Sequence, residues 1–193
     1  MALRADNITK CFGDNKVIDS FTHEFAENCT TVIMGASGCG KSTLLSMLMG
    51  VLAPDSGTVT GNQARTGAVF QEDRLCENLS VQSNLRLVVP GRKRSFDAEL
   101  EAVGLGGCAD KPVRELSGGM KRRTALLRAL VYEPDILFLD EPFKGLDSDT
   151  KRTVMEYCKK RTAGKTVILV THDKEEADFF GGEIIELQRP LSY

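Results

Sequence analysis

The chain has 193 residues, of which 41% are hydrophobic and 27% charged, with a formal net charge of −2. That is enough apolar sequence for one ordinary globular domain with a sizeable core. With this near-neutral balance nothing suggests bulk electrostatic attraction to nucleic acid or to an anionic lipid surface. Six cysteines (Cys11, Cys29, Cys39, Cys76, Cys108, Cys158) contain no CxxC pair, and only two histidines accompany them, so a zinc site is not expected. Six reduced thiols in a cytosolic protein are expected instead. Residues 1–6 show no apolar leader, and no run approaches 18 apolar residues. The expectation is a chain without a signal peptide that does not cross a membrane by itself.

The first 34 residues read as β-rich. Residues 3–8, 17–20, 23–25 and 30–34 are short strand candidates, with Gly13-Asp14-Asn15 and Glu27-Asn28 as turns. A helix follows over residues 42–49. Pro54-Asp55-Ser56-Gly57 is a turn, and residues 58–60 and 67–70 are strands, the second ending on Gln71. Residues 79–131 change character. Residues 81–89, 95–103 and 118–131 carry helical spacing, with Pro90-Gly91 as the break, which suggests a small helical subdomain inserted between strands. Arg92-Lys93-Arg94 reads as a solvated basic face. From residue 135 the alternation resumes: strand 135–139, helix 148–162 capped by Ser148 or Asp147, strand 166–170, helix 173–180 and strand 183–187. This order predicts a single α/β domain over 1–193 with a P-loop core, a mixed or parallel sheet, an N-terminal antiparallel β-subdomain and the helical insert at about 79–131.

The chemistry is concentrated in Gly35-Ala36-Ser37-Gly38-Cys39-Gly40-Lys41-Ser42-Thr43, which fits G-x-x-x-x-G-K-[ST]. The glycines let the backbone curl so that N–H groups point at phosphate oxygens. Lys41 supplies a compact charge for the β- and γ-phosphates, and the Ser42 hydroxyl is a hard donor suited to Mg²⁺. A buried strand before the loop and a helix after it add a dipole to the anion site. Ile136-Leu137-Phe138-Leu139-Asp140-Glu141 is an apolar strand ending in two carboxylates. Such a strand delivers Asp140 to the sheet edge as a Mg²⁺ partner, with Glu141 placed to deprotonate an attacking water. In Leu116-Ser117-Gly118-Gly119-Met120, Ser117 is a helix cap, and the two glycines expose N–H groups to an anion at some cost to the first turn. Lys121-Arg122-Arg123 just beyond reads as a solvated face.

These residues together resemble the ATP-binding subunit of an ATP-binding cassette (ABC) transporter, over nearly the whole chain. Residues 35–43 match the family's Walker A, Gln71 its Q-loop, residues 116–120 its signature motif and residues 136–141 its Walker B. Gly145-Leu146-Asp147 matches the D-loop, His172 the H-loop histidine and Phe12 the aromatic against adenine. The resemblance implies ATP and Mg²⁺, with Ser42, Gln71 and Asp140 toward the metal, and Glu141, Gln71 and His172 in hydrolysis. It also implies a head-to-tail homodimer in which Ser117, Gly118, Gly119 and Met120 face the partner's ATP. Separate membrane permease chains are implied, together with a solute-binding protein, no nucleic acid, and a cytoplasmic position peripheral to the inner face of the cell membrane. Residues 71–75 followed by Leu79-Ser80-Val81 are similar to importers of the nitrate, sulfonate and taurine type, with Leu75 and Leu79 as anchors for the permease. A soluble ABC-type ATPase acting on DNA or ribosomes, or a non-catalytic nucleotide-binding subunit, is the alternative.

The chain departs from the family pattern in five places. Met120 replaces the usual glutamine, and its thioether accepts only weakly. The D-loop reads Phe143-Lys144-Gly145-Leu146-Asp147. Phe12 lacks the hydroxyl of the commoner tyrosine. A short interval from Gln71 to Ser117 implies a compact helical subdomain, and from the short stretch after His172 no C-terminal regulatory domain is expected.

Overall fold

The structure, a computed structural model, describes residues 2–89, 91 and 94–190. Pro90 and the first two residues of the basic run, Arg92 and Lys93, lie outside the described residues. The chain divides into two compact units, residues 1–66, 135–140 and 164–193 forming the first and residues 67–134 and 141–163 the second.

The first unit holds two sheets. In one, β1 (Leu3–Phe12) lies between β2 (Asn15–Phe25) and β4 (Ser56–Thr60), all antiparallel. β1 runs past Ile8 to Phe12, and β2 is one strand where the sequence suggests two. Left-handed backbone at Asn7 (φ 52°) and Ser20 (φ 50°) breaks the alternation without ending the strands. The amides displaced by these bulges find local acceptors: Asn7 N donates to Thr22 Oγ1 at 2.8 Å, and Ser20 N to Thr9 Oγ1 at 3.0 Å.

The other sheet is parallel, with β6 (Ile136–Asp140), β7 (Thr166–Val170), β3 (Thr30–Met34) and β8 (Glu183–Glu186) in that order. β6 and β7 are buried along their whole length, as continuous apolar runs in covered parallel sheets are. α1 (Lys41–Leu48) and α6 (Lys174–Phe180) complete the unit. The register of this sheet places Asp140, and Phe138 (0% exposed) is its anchor. Phe138→Ala is expected to lower stability by about 3–5 kcal/mol, the usual cost of truncating a buried phenylalanine, measured by urea unfolding. A change below about 1 kcal/mol would mean that the strand is not packed as described.

The second unit begins within β5 (Thr66–Val69) and continues through α2 (Val81–Arg86), α3 (Asp97–Ala102), a 3₁₀ turn at Val113–Glu115, α4 (Gly118–Val131) and α5 (Ser148–Arg161). Leu85, Leu100, Leu126, Leu127 and Val154 form its core. α2 and α3 are shorter than their spacing suggests. After Arg86 the chain tightens into three-residue bonds, Val88 N to Leu85 O and Val89 N to Arg86 O. Before α3, Ser95 Oγ accepts from Asp97 N at 3.1 Å and starts the helix there. Asn84 is fully buried and accepts from Cys76 N at 2.8 Å while donating to Cys76 O at 3.0 Å, which fastens the loop before α2. Among the described residues no helix is long and apolar enough to cross a membrane. All six cysteines are free, and full burial pushes the Cys158 thiol up to about 12.

Candidate functional site

In the first unit the parallel pairing brings the C-terminal ends of β6, β7, β3 and β8 to one edge, the edge where ligands bind in open α/β sheets. β3 leads into the glycine loop there. Gly35 has φ +151°, and a Cβ on it would lie 2.4 Å from Leu187 O and 2.8 Å from Cys39 Sγ, so no side chain fits. Gly40 caps α1 at φ +104°, and a Cβ there would meet Val17 Cγ1 at 2.8 Å. Both positions demand glycine on conformation and on space. Lys41 opens α1 and is 8% exposed; its Nζ donates to Gly35 O and to Ala36 O, each at 2.8 Å. The ammonium is thus arched over its own loop with two of its three donors engaged. Ser42 follows in the first helical turn with its side chain exposed.

Asp140 ends β6 at this edge and is 5% exposed. His172 follows β7 and is exposed. The turn that presents it is fixed by the buried Thr171. Its Oγ1 donates to Glu176 Oε2 at 2.6 Å and accepts from Asp173 N at 3.1 Å, and its backbone N donates to Ile33 O at 3.3 Å. Asp173 in turn caps α6 by accepting from Glu175 N at 2.8 Å. A cleft of about 630 Å³ has Gly35, Ala36, Ser37, His172 and Arg189 among its lining residues. Phe12 lies elsewhere in this unit, at the end of β1, half exposed, with Lys10 Nζ 5.8 Å from its ring centre.

The second unit holds Gln71, residues 117–120, Glu141 and Asp147. Ser117 is the N-cap of α4, its Oγ accepting from Met120 N at 3.3 Å. Gly118 is exposed, and a Cβ on it would meet nothing within 4 Å. Asp147, rather than Ser148, caps α5 by accepting from Thr150 N at 3.0 Å. That backbone donor holds the Asp147 carboxyl below its ordinary range. Glu141 has φ +45°, a conformation that costs a side-chain-bearing residue about 1–3 kcal/mol and recurs at functional sites. Its Oε2 lies 3.2 Å from Lys144 Nζ.

Lys121-Arg122-Arg123 is not a solvated face. Arg122 is 5% exposed and donates to backbone carbonyls on both the Gln71 and Glu141 segments. Arg123 donates to Gly119, Val103 and Gly104 carbonyls, and Lys121 Nζ lies 2.8 Å from Glu77 Oε1. The same spacing that reads as a surface run on a helix turns inward because the carbonyls of two irregular segments need donors.

The residues fit a nucleotide phosphate with Mg²⁺. The loop glycines and the start of α1 form an anion cradle with an ammonium already oriented in it. Ser42 and Asp140 are hard oxygen donors on one edge, and Mg²⁺ is held by one or two carboxylates together with phosphates and water. Among the described residues no group of three His, Cys, Asp or Glu could hold a metal ion.

A family model described as "ABC transporter" matches residues 18–144. The taurine import ATP-binding protein TauB of Roseobacter denitrificans is 40% identical over 79% of this chain and 63% of its own length. The Nod factor export ATP-binding protein I of Paraburkholderia xenovorans is 38% identical over 92% of this chain and 64% of its own. The chain therefore spans a little under two thirds of either relative. A dimeric post-hydrolysis structure of the ATP-binding cassette MJ0796 bound to ADP and Pi superposes with a TM-score of 0.84, at 30% identity, over 97% of this chain and 94% of that one.

Proposed function

The chain belongs to the ABC transporter family, and on that premise we propose that it is an ATP-hydrolysing subunit that energises solute transport, import in direction, through separate membrane permease chains. The observation that carries this reading is Lys41 arched over the Gly35 and Ala36 carbonyls at the sheet edge where Asp140 and His172 also emerge. Residues 35–43 hold the phosphates, and Phe12 offers an exposed ring to the adenine. Ser42, Gln71 and Asp140 hold Mg²⁺, which when bound neutralises charge on the phosphate oxygens. Glu141 takes the proton of the attacking water, Gln71 orients that water, and His172 reaches the γ-phosphate.

The cassette acts as a head-to-tail homodimer, with Ser117, Gly118, Gly119 and Met120 closing on the ATP of the second copy and Asp147 in the loop beside it. Gly118 supports this. A Cβ on it would meet nothing within 4 Å among the described residues, so its exposed backbone is open to the approach of a ligand. A cytoplasmic position on the inner face of the membrane and a solute-binding protein accompany an importer reading. The likeness to a taurine import protein and the residues around Gln71 favour import over export.

The test is phosphate release from ATP by the purified chain, with Mg²⁺ and with EDTA, for wild type and Ser117→Arg. Wild type is expected to turn over only with Mg²⁺. Ser117→Arg should bind ATP as wild type does yet lose about 10²–10³-fold in turnover, the usual worth of a donor set aimed at developing charge. Its lost cap lowers stability by about 0.5–2 kcal/mol, so the assay is run below its thermal midpoint. Absence of Mg²⁺-dependent release in wild type would end the ATPase reading. Undiminished turnover in Ser117→Arg would end the shared-site reading.

A further inference from the structure

Arg122 lies in the second turn of α4, the helix that Ser117 caps. Its guanidinium meets five acceptors. Nη1 donates to Phe70 O at 2.6 Å, to Gln71 O at 3.4 Å and to Asp73 Oδ1 at 3.0 Å. Nη2 donates to Glu141 O at 2.6 Å, and Nε to Pro142 O at 3.2 Å. The three nitrogens of one rigid plane thus face two chain segments far apart in sequence. Resting on the reading of Gln71 and Glu141 given above, we propose that Arg122 is a positioning residue for hydrolysis: it ties the Gln71 segment to the Glu141 segment and fixes both to the helix that begins at Ser117.

Three observations support the assignment. First, Glu141 sits at φ +45°, which a glutamate does not hold without restraint, and Arg122 bonds the carbonyls of that residue and the next. Second, the Gln71 side is fastened to α4 again, six residues on, where Arg128 donates to Arg74 O at 2.9 Å and to Asp73 O at 3.3 Å. Arg74, itself at φ +47°, stacks on Phe70 with its guanidinium carbon 3.7 Å from the ring centre. Third, Arg122 itself is 5% exposed, so its charge is held away from water and is costly to leave without these acceptors. Any displacement of α4 at its Ser117 end therefore carries the Gln71 and Glu141 backbones with it. No other side chain type reproduces this. Lysine keeps the charge but has a single nitrogen and cannot span both segments.

The test compares Arg122→Lys, Glu141→Gln and their combination in single-turnover hydrolysis. Amide hydrogen exchange is measured over residues 70–74 and 141–144. Arg122→Lys is expected to lose about 10²-fold in kcat, the scale of a mispositioned catalytic group, with KM for ATP shifted less than about threefold. Added to Glu141→Gln it should cost less than about threefold more, because residues serving one step do not act additively. Both segments should exchange faster together in the variant. Arg122→Gln, which keeps a planar amide with two donors, is the second variant and should fall between wild type and lysine. Multiplicative losses, a change in KM alone, or wild-type kcat in either folded variant would overturn the proposal. The exchange measurement needs no hydrolysis, so it decides the tie even if wild type proves inactive, an outcome that would fall on the ATPase reading instead. Exchange accelerated in one segment and not the other would also overturn it.

Discussion

Glu141→Gln is expected to lower ATP hydrolysis by about 10²–10⁴-fold, the usual worth of a positioned general base, while ATP and Mg²⁺ still bind. The amide keeps the size and the hydrogen bonds of the carboxylate but cannot take a proton from water. Asp140, one residue earlier and at the end of β6, is unchanged in this variant and keeps the metal role proposed for it. With hydrolysis blocked, two copies should stay closed on two ATP, so light scattering should report a monomer with ADP and a dimer with ATP. Wild type should show that dimer weakly, because hydrolysis reopens it. Hydrolysis within about tenfold of wild type would remove Glu141 as the base. A Glu141→Gln chain that binds ATP yet stays monomeric both alone and with its permease would remove the shared site.

Lys41→Ala should cut turnover by about 10²–10³-fold or more and weaken ATP binding by about tenfold or more, since a charged donor is lost from the phosphates. The fold should persist. Among the described residues the bonds of Lys41 Nζ go to the carbonyls of Gly35 and Ala36, both within its own loop. The net stability change is expected to be about 1–3 kcal/mol, because bonds from a charged donor contribute more than neutral ones yet are partly returned by water. Circular dichroism with equilibrium ATP binding separates the two effects. Normal turnover in a folded Lys41→Ala chain would sink the phosphate-loop assignment, and an unfolded one would show that the lysine shapes the loop as well as its ligand.

Much of the fold was legible in local pattern. Residues 30–34, 118–131 and 166–170 form elements with the bounds their periodicity suggests, because each is a regular run with a clear stop. The family was legible as well, since its motifs are short, contiguous and in order. The errors fell where backbone departs from regular geometry. Ser20 at positive φ made one strand read as two, and the tight turns at Val88 and Val89 shortened a helix whose apolar spacing continued.

Residues 35–43 carried their meaning without any fold, because a phosphate loop is a local device: adjacent amides, one lysine, one hydroxyl. Arg122 carried none. Its partners stand 52 residues before it at Phe70 and 19 after it at Glu141, and no spacing rule links a basic run on a helix to carbonyls that distant. Gly35 stands between the two cases. The loop motif asks for a glycine there, but only the fold shows that Leu187 O closes the space a side chain would need. Short-range chemistry is written in neighbouring residues, whereas the satisfaction of buried carbonyls is settled only when distant segments meet.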